Sequence, residues 1–308
     1  MEWFLDPFAV SFVQRALWGG LLVSAICALV GTWVVLRGLA FLGDAMAHGM
    51  LPGVALASLL GVSPLLGAAA SAGVMAAGVT ALGRLPRLSG DVGIGLLFAG
   101  MLSVGVIVVS HSDSFAVDLT GFLFGDVLAV RERDLWQLGV ALGVTAVVTV
   151  LGHRSFVALV FDARKADTLG LRPGYARAVL LGLMTLAIVS SFHVVGTLLV
   201  FGLLIAPPAA TVLWARRIPL VMLGAALVGA GATVLGLLVS WHAGTAAGAT
   251  ISAVAVAAFF LSAATAVLRT HRRGRRPAPT AAHPADAVQP VQPAQPAHPI
   301  RPEIEPAP

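Results

Sequence analysis

The sequence predicts an all-α, polytopic integral membrane protein of about eight or nine transmembrane helices. Three observations carry that expectation. Of the 308 residues, 58% are hydrophobic and only 11% charged, which is more apolar surface than a soluble core of that size buries. The apolar residues fall in runs long enough to cross a hydrocarbon layer of ~30 Å. Basic residues gather in short segments between those runs, the bias that marks cytoplasmic loops.

The segment before the first run, Met1 to Pro7, carries Glu2 and Asp6 in place of a basic leader, and no small-residue cleavage pattern follows it. The first apolar segment is therefore expected to stay in the mature protein, with residues 1–12 outside. Spans are expected near 13–36, 43–61, 64–83, 91–110, 133–151, 178–193, 196–214, 218–240 and 246–268. Arg84 and Arg87, the cluster Arg154, Arg164, Lys165, Arg172 and Arg177, the pair Arg216 and Arg217, and the arginines from Arg269 to Arg276 should all be cytoplasmic. Alternation satisfies every one of them if the N-terminus is extracellular and the C-terminus cytoplasmic, with only Arg15 to be tolerated. The stretch 116–130 is too short, and too broken by Gly121 and Gly125, for a crossing. It is expected as a short helix on the outer face. The transmembrane domain thus runs over residues 13–268, with a long cytoplasmic loop at 154–177. Residues 269–308 change character, from an arginine run to Pro, Ala and Gln, and read as a disordered cytoplasmic tail.

Several functions are excluded at this stage. A Walker A loop needs Gly-Lys followed by Ser or Thr, and the one lysine, Lys165, stands between Arg164 and Ala166. The chain is no ATPase. The run Arg272, Arg273, Arg275, Arg276 suits anionic lipid at the end of the last helix, and nothing resembles a nucleic-acid surface. The single cysteine, Cys27, has no disulfide partner in the chain and reads as packing. His271, His283 and His298, scattered along the tail, read as solvated side chains.

Chemistry concentrates elsewhere. Gly43-Asp44-Ala45-Met46-Ala47-His48 places a carboxylate and an imidazole four residues apart in an apolar stretch, on one face of a helix. Ionisable groups within a membrane cost roughly 2.5 to 3.5 kcal/mol each on insertion scales and mark a substrate or ion path. A divalent metal suits the pair. The alternative is a helix start, with Asp44 capping the first turn and His48 at the interface. Pro52 lacks an amide proton and its ring opposes the carbonyl of His48, so a kink is expected there. Freed carbonyls at such a break are candidate further ligands, and a broken segment over 37–53 brings the pair deeper than simple topology does. Met46 sits on another face and reads as packing. His193 at an outer turn, and His111, Asp113 and Asp118 in an outer loop, fit either an entrance for cations or ordinary polar turns. His153 and His242 read as interface residues.

In the loop 154–177, Phe161, Ala163, Ala166 and Leu169 recur at helical spacing among charges, and Gly170 and Pro173 close the segment. A short amphipathic helix of this kind suits either a docking knob for a partner protein or a lipid surface.

Five segments, LRGLAFLGDAMAHGMLPGVALASLLG (36–61), DVGIGLLFAGMLSVGVIVVS (91–110), DLTGFLFGDVLAV (118–130), FDARKADTLGLRPG (161–174) and VVGTLLVFGLLIAPPAATVL (194–213), together resemble the zinc/manganese permease family of ABC importers. The likeness covers about residues 10–268 in order. It implies the type II ABC importer permease fold and a place in the bacterial plasma membrane. The implied partners are a cytoplasmic ABC ATPase subunit, an extracellular or periplasmic metal-binding protein and a second permease chain, a homodimer or a related permease. Segment 161–174 matches the family's coupling loop, so Asp162, Ala166, Gly170 and Leu171 are expected in a cleft of the ATPase. In a dimer, two copies of Asp44 and His48 form a four-ligand set suited to Zn²⁺ or, with added oxygens, Mn²⁺, with Fe²⁺ also tolerated. The metal is cargo, and no permanently bound cofactor is expected. Two other readings are a self-sufficient carrier or channel for a divalent cation, which would work without an ATPase, and an intramembrane metalloenzyme. Against the last stands the lack of any His-Glu-x-x-His pattern.

Overall fold

The computed structural model describes residues 6–83, 89–110, 125, 127–161 and 173–274. Contacts divide the chain into one unit of residues 1–268 and a second of 269–308. In the first unit, a 3₁₀ turn over Asp6–Ala9 leads into α1 (Ser11–Leu36), α2 (Ala40–Gly49), α3 (Leu51–Leu59), α4 (Pro64–Leu82) and α5 (Gly90–Ser110). After a 3₁₀ turn at Val127–Ala129 come α6 (Glu132–Phe161), α7 (Pro173–Val212), α8 (Ile218–Ala243) and α9 (Ala247–Gly274), the last reaching into the second unit. Among the described residues nine helical stretches are long and apolar enough to cross a membrane, α2 with α3 counting as one and α7 as two. The expectation of an all-α bundle of about eight or nine crossings holds.

Local chemistry sets the breaks. Pro52, Pro64 and Pro219 sit in the first turns of α3, α4 and α8, where the missing amide proton costs nothing. Within α7, Gly196 has φ 73° and ψ 164°, a backbone that a side chain with a Cβ resists. It lies at the start of the second of two crossings, Pro173–Phe192 and Val194–Val212. Gly125 lies against this break: a Cβ there would stand 2.2 Å from the Gly196 nitrogen.

Burial sorts the helices. Two thirds of the α1 window is buried, as is 78% of the second half of α7, against 17% for α5 and α9. Trp33, Ile26, Val30 and Cys27 of α1 have no exposure, so α1 is the axis about which the bundle packs. Leucines and valines such as Leu151, Leu227 and Leu261 stay exposed on the outer helices. Helices in lipid associate through close backbone approach at small residues, and two crossings show it. Gly31 of α1 meets the Leu204 carbonyl of α7, and Gly53 of α3 and Gly67 of α4 face each other's carbonyls, where a Cβ would approach to 1.9, 2.1 and 2.2 Å respectively. Ser24 and Thr233 hydroxyls, 3.1 Å apart, tie α1 to α8.

Two boundaries differ from expectation. Residues 154–161 continue α6, because Phe156 and Leu159 extend its buried stripe, and 173–177 open α7. Only 162–172 of the loop 154–177 lie between them, outside the described residues, and with them Asp162, Ala166, Gly170 and Leu171. Of the outer stretch 116–130, only Gly125 and 127–130 are described.

Candidate metal site

Helix α2 is short and two-sided. Leu42, Ala45, Met46 and Ala47 face the core, whereas Phe41, Asp44 and His48, spaced three and four residues apart, line the opposite stripe. That spacing brings Asp44 Oδ1 to 3.5 Å from His48 Nε2, each side chain 31% exposed. Phe98 of α5 closes one flank. Its ring stands edge-on to the imidazole, with centroids 5.9 Å apart, and to Phe41 at 6.2 Å. The other flank is open, so carboxylate and imidazole form a polar ledge on an accessible side of the chain. At 1.5 Å per residue, Asp44 and His48 lie about 6 and about 12 Å along this span from Ala40.

The span breaks at Met50, the residue between α2 and α3, two positions before Pro52. The His48 carbonyl, which loses its partner to the proline, is approached by the Met50 amide. Ser71 Oγ of α4 donates to the Gly49 carbonyl at 2.7 Å. The Gly49 carbonyl at the break is thus engaged by a side-chain donor. Among the described residues no three of His, Cys, Asp and Glu come together. As metal ligands, Asp44 and His48 would give two side chains per chain, fewer than a first-row metal takes.

Other residues singled out from the sequence resolve into packing roles or lie outside the described residues. Met46 is fully buried in the core. Cys27 is buried, its Sγ 3.9 Å from the Val200 carbonyl. His153 packs edge-on against Trp33 with centroids 5.6 Å apart. His242 Nδ1 lies 2.9 Å from the Leu238 carbonyl one turn back. His111, Asp113, Asp118, His283 and His298 lie outside the described residues, and of His193 and His271 only the backbone is described.

Sequence reasoning overlooked a cavity of about 460 Å³ lined by Ser63, Val130, Arg131, Asp134, Gln137 and Val194 among others. Asp134 caps α6 by accepting the Arg131 amide at 3.0 Å. The lining comes from the α3–α4 turn, the start of α6 and the α7 break, elements far apart in the chain. No local spacing pointed to it.

Residues 9–266 match the model of the ABC 3 transport family. The chain belongs to that family. This ABC 3 member is 33% identical over 282 residues, 90% of its length and 96% of the relative's, to "Manganese transport system membrane protein MntC" of Halalkalibacterium halodurans. It is 34% identical to "Chelated iron transport system membrane protein YfeD" of Yersinia pestis, over 84% of this chain and 86% of that one. Its fold is similar to a chain of the structure "PsaBC from Streptococcus pneumoniae in complex with Fab", with a TM-score of 0.75 and 30% identity, covering 84% of this chain and 94% of the other. The family resemblance read from the five segments and the permease fold expected from it are both borne out. As an ABC 3 permease the chain is a multi-pass transport subunit and not an enzyme, and ATP hydrolysis belongs to a separate subunit.

Proposed function

We propose that the chain is the membrane permease of an ATP-driven importer that carries a divalent transition metal into the cytoplasm by alternating access. Asp44 and His48 hold the ion in transit, and a second permease chain completes its coordination with the same two residues. The observation that carries this reading is the ledge itself: a carboxylate 3.5 Å from an imidazole, both partly exposed, on the open stripe of a helix whose other side is core. Two such ledges facing across a dimer axis offer two oxygens or more and two nitrogens with no thiolate, a set suited to Mn²⁺, Zn²⁺ or Fe²⁺. The names of the relatives, manganese for one and chelated iron for another, favour manganese or iron over zinc as cargo. Without thiolates the site avoids the closed cages of structural zinc, so it releases what it binds.

In the same reading the ATPase docks on the loop that holds Asp162, Ala166, Gly170 and Leu171. An extracellular metal-binding protein delivers the ion, and the N-terminus is outside. The break at Met50 and Pro52 lets α2 move relative to α3 as the site changes its side of access. The test is competitive uptake in cells lacking their own importers, with manganese, iron and zinc offered together to the native chain and to Asp44→Ala and His48→Ala variants inserted at native level. The reading expects both variants to fall to background and the native competition profile to name the cargo. Native-like uptake by both variants would remove the site.

A further inference from the structure

At the far end of α1, Trp33 and Arg37 lie one helical turn apart, Arg37 as the C-cap, so both side chains leave the same face. Trp33 has no exposure, with its ring against His153 and Phe156 of α6. Its Nε1 and the Nη1 of Arg37 are shielded from solvent, yet neither makes a hydrogen bond. Both groups donate and neither accepts. Backbone acceptors nearby are taken: the Trp33, Val34 and Val35 carbonyls receive the Arg37, Leu39 and Gly38 amides. Among the described residues no carboxylate pairs with Arg37. Burial, and then the positive charge of Arg177 in the first turns of α7, hold Arg37 below the ordinary arginine pKa.

The place therefore gathers two orphaned donors and two like charges, with no acceptor between them among the described residues. A shielded donor without a partner costs free energy, and a neighbouring like charge adds to that cost. One anion relieves both. The place also lies at helix ends, where α1 stops, α7 starts and α6 carries the exposed Arg154. Ends of membrane-spanning helices meet the lipid phosphate layer, and basic clusters between helices at such ends take lipid headgroups. We propose that Trp33, Arg37 and Arg177 form a binding site for a phosphate group, supplied by the phosphodiester of an anionic membrane lipid or by free phosphate. The guanidinium fork of Arg37 suits two phosphate oxygens, Arg177 neutralises the remaining charge, and the indole N–H reaches a third acceptor.

The test uses the purified full-length chain in uncharged detergent. Thermal stability and native mass spectrometry are read against phosphatidylglycerol, phosphatidylcholine and inorganic phosphate. The native chain is expected to bind phosphatidylglycerol saturably. Arg37→Gln and Arg177→Gln should weaken that binding about tenfold, Trp33→Phe should weaken it a few-fold with packing kept, and Arg216→Gln should leave it unchanged. If inorganic phosphate alone reproduces the native effect and the variants lose it, the site stands and its source is soluble. If Arg37→Gln does not fold, Arg177→Gln, at an exposed position, decides. Saturable binding that survives Arg177→Gln and Trp33→Phe, or no saturable binding of either ligand, overturns the proposal.

Discussion

Asp44 and His48 are held by different means, and their substitution should separate charge from shape. Asp44→Asn keeps the side chain's volume and its place on the α2 stripe while removing the negative charge. Metal uptake should fall nearly as far as in Asp44→Ala if the carboxylate ligates, and stay near native if it only caps a turn. His48 is steadied by the edge of Phe98, a contact worth about 0.5–1.5 kcal/mol. Phe98→Ala should therefore raise the KM for metal about two- to tenfold without abolishing transport, and an unchanged KM would mean that the ring contact is incidental. Asp44 and His48 were legible because an ionisable pair in an apolar run has no cheap explanation. That their stripe stays open while Phe98 guards one flank was not, since Phe98 comes from a helix some fifty residues away.

The second crossing is two helices, and its neighbours hold the break in place. Ser71 Oγ supplies the hydrogen bond to the Gly49 carbonyl. Ser71→Ala should cost about 1–2 kcal/mol, read as a lower thermal midpoint in detergent, because it leaves a buried acceptor unmet. A few residues away Gly53 and Gly67 face each other's carbonyls too closely for a Cβ on either. Gly67→Val should cost about 2 kcal/mol or more through forced separation of α3 and α4, and a native midpoint would show that the two helices are not so closely apposed. Helix positions were readable from hydropathy because each crossing is a long apolar run, and boundaries agreed within a few residues for α1, α4 and α5. The end of α6 was missed: the loop reads as beginning at Arg154, yet Phe156 and Leu159 are still buried and the helix runs to Phe161. A membrane helix can outlast its apolar window when its far end packs on protein, and hydropathy does not register that. Hydropathy placed a boundary between the spans ending at 193 and beginning at 196, but not its geometry, the positive φ of Gly196 packed against Gly125.

In the proposed function one chain offers two metal ligands, and ATP hydrolysis belongs to a separate subunit, so partners are needed for both chemistry and energy. Reconstituted alone in liposomes, the chain should not accumulate metal. Adding the separate ATPase should confer ATP-dependent uptake, and substitutions such as Gly170→Arg in the loop should uncouple it while leaving metal binding intact. Transport by the chain alone, driven by an ion gradient, would favour the carrier reading instead. The central claim is that Asp44 and His48 of two permease chains share one ion. The most direct measurement is the metal content of the purified, washed transporter, counted per permease chain for the native protein and for the Asp44→Ala and His48→Ala variants. The account predicts one ion for every two permease chains, lost in either variant. One ion in each chain, or the native content retained in both variants, would contradict it.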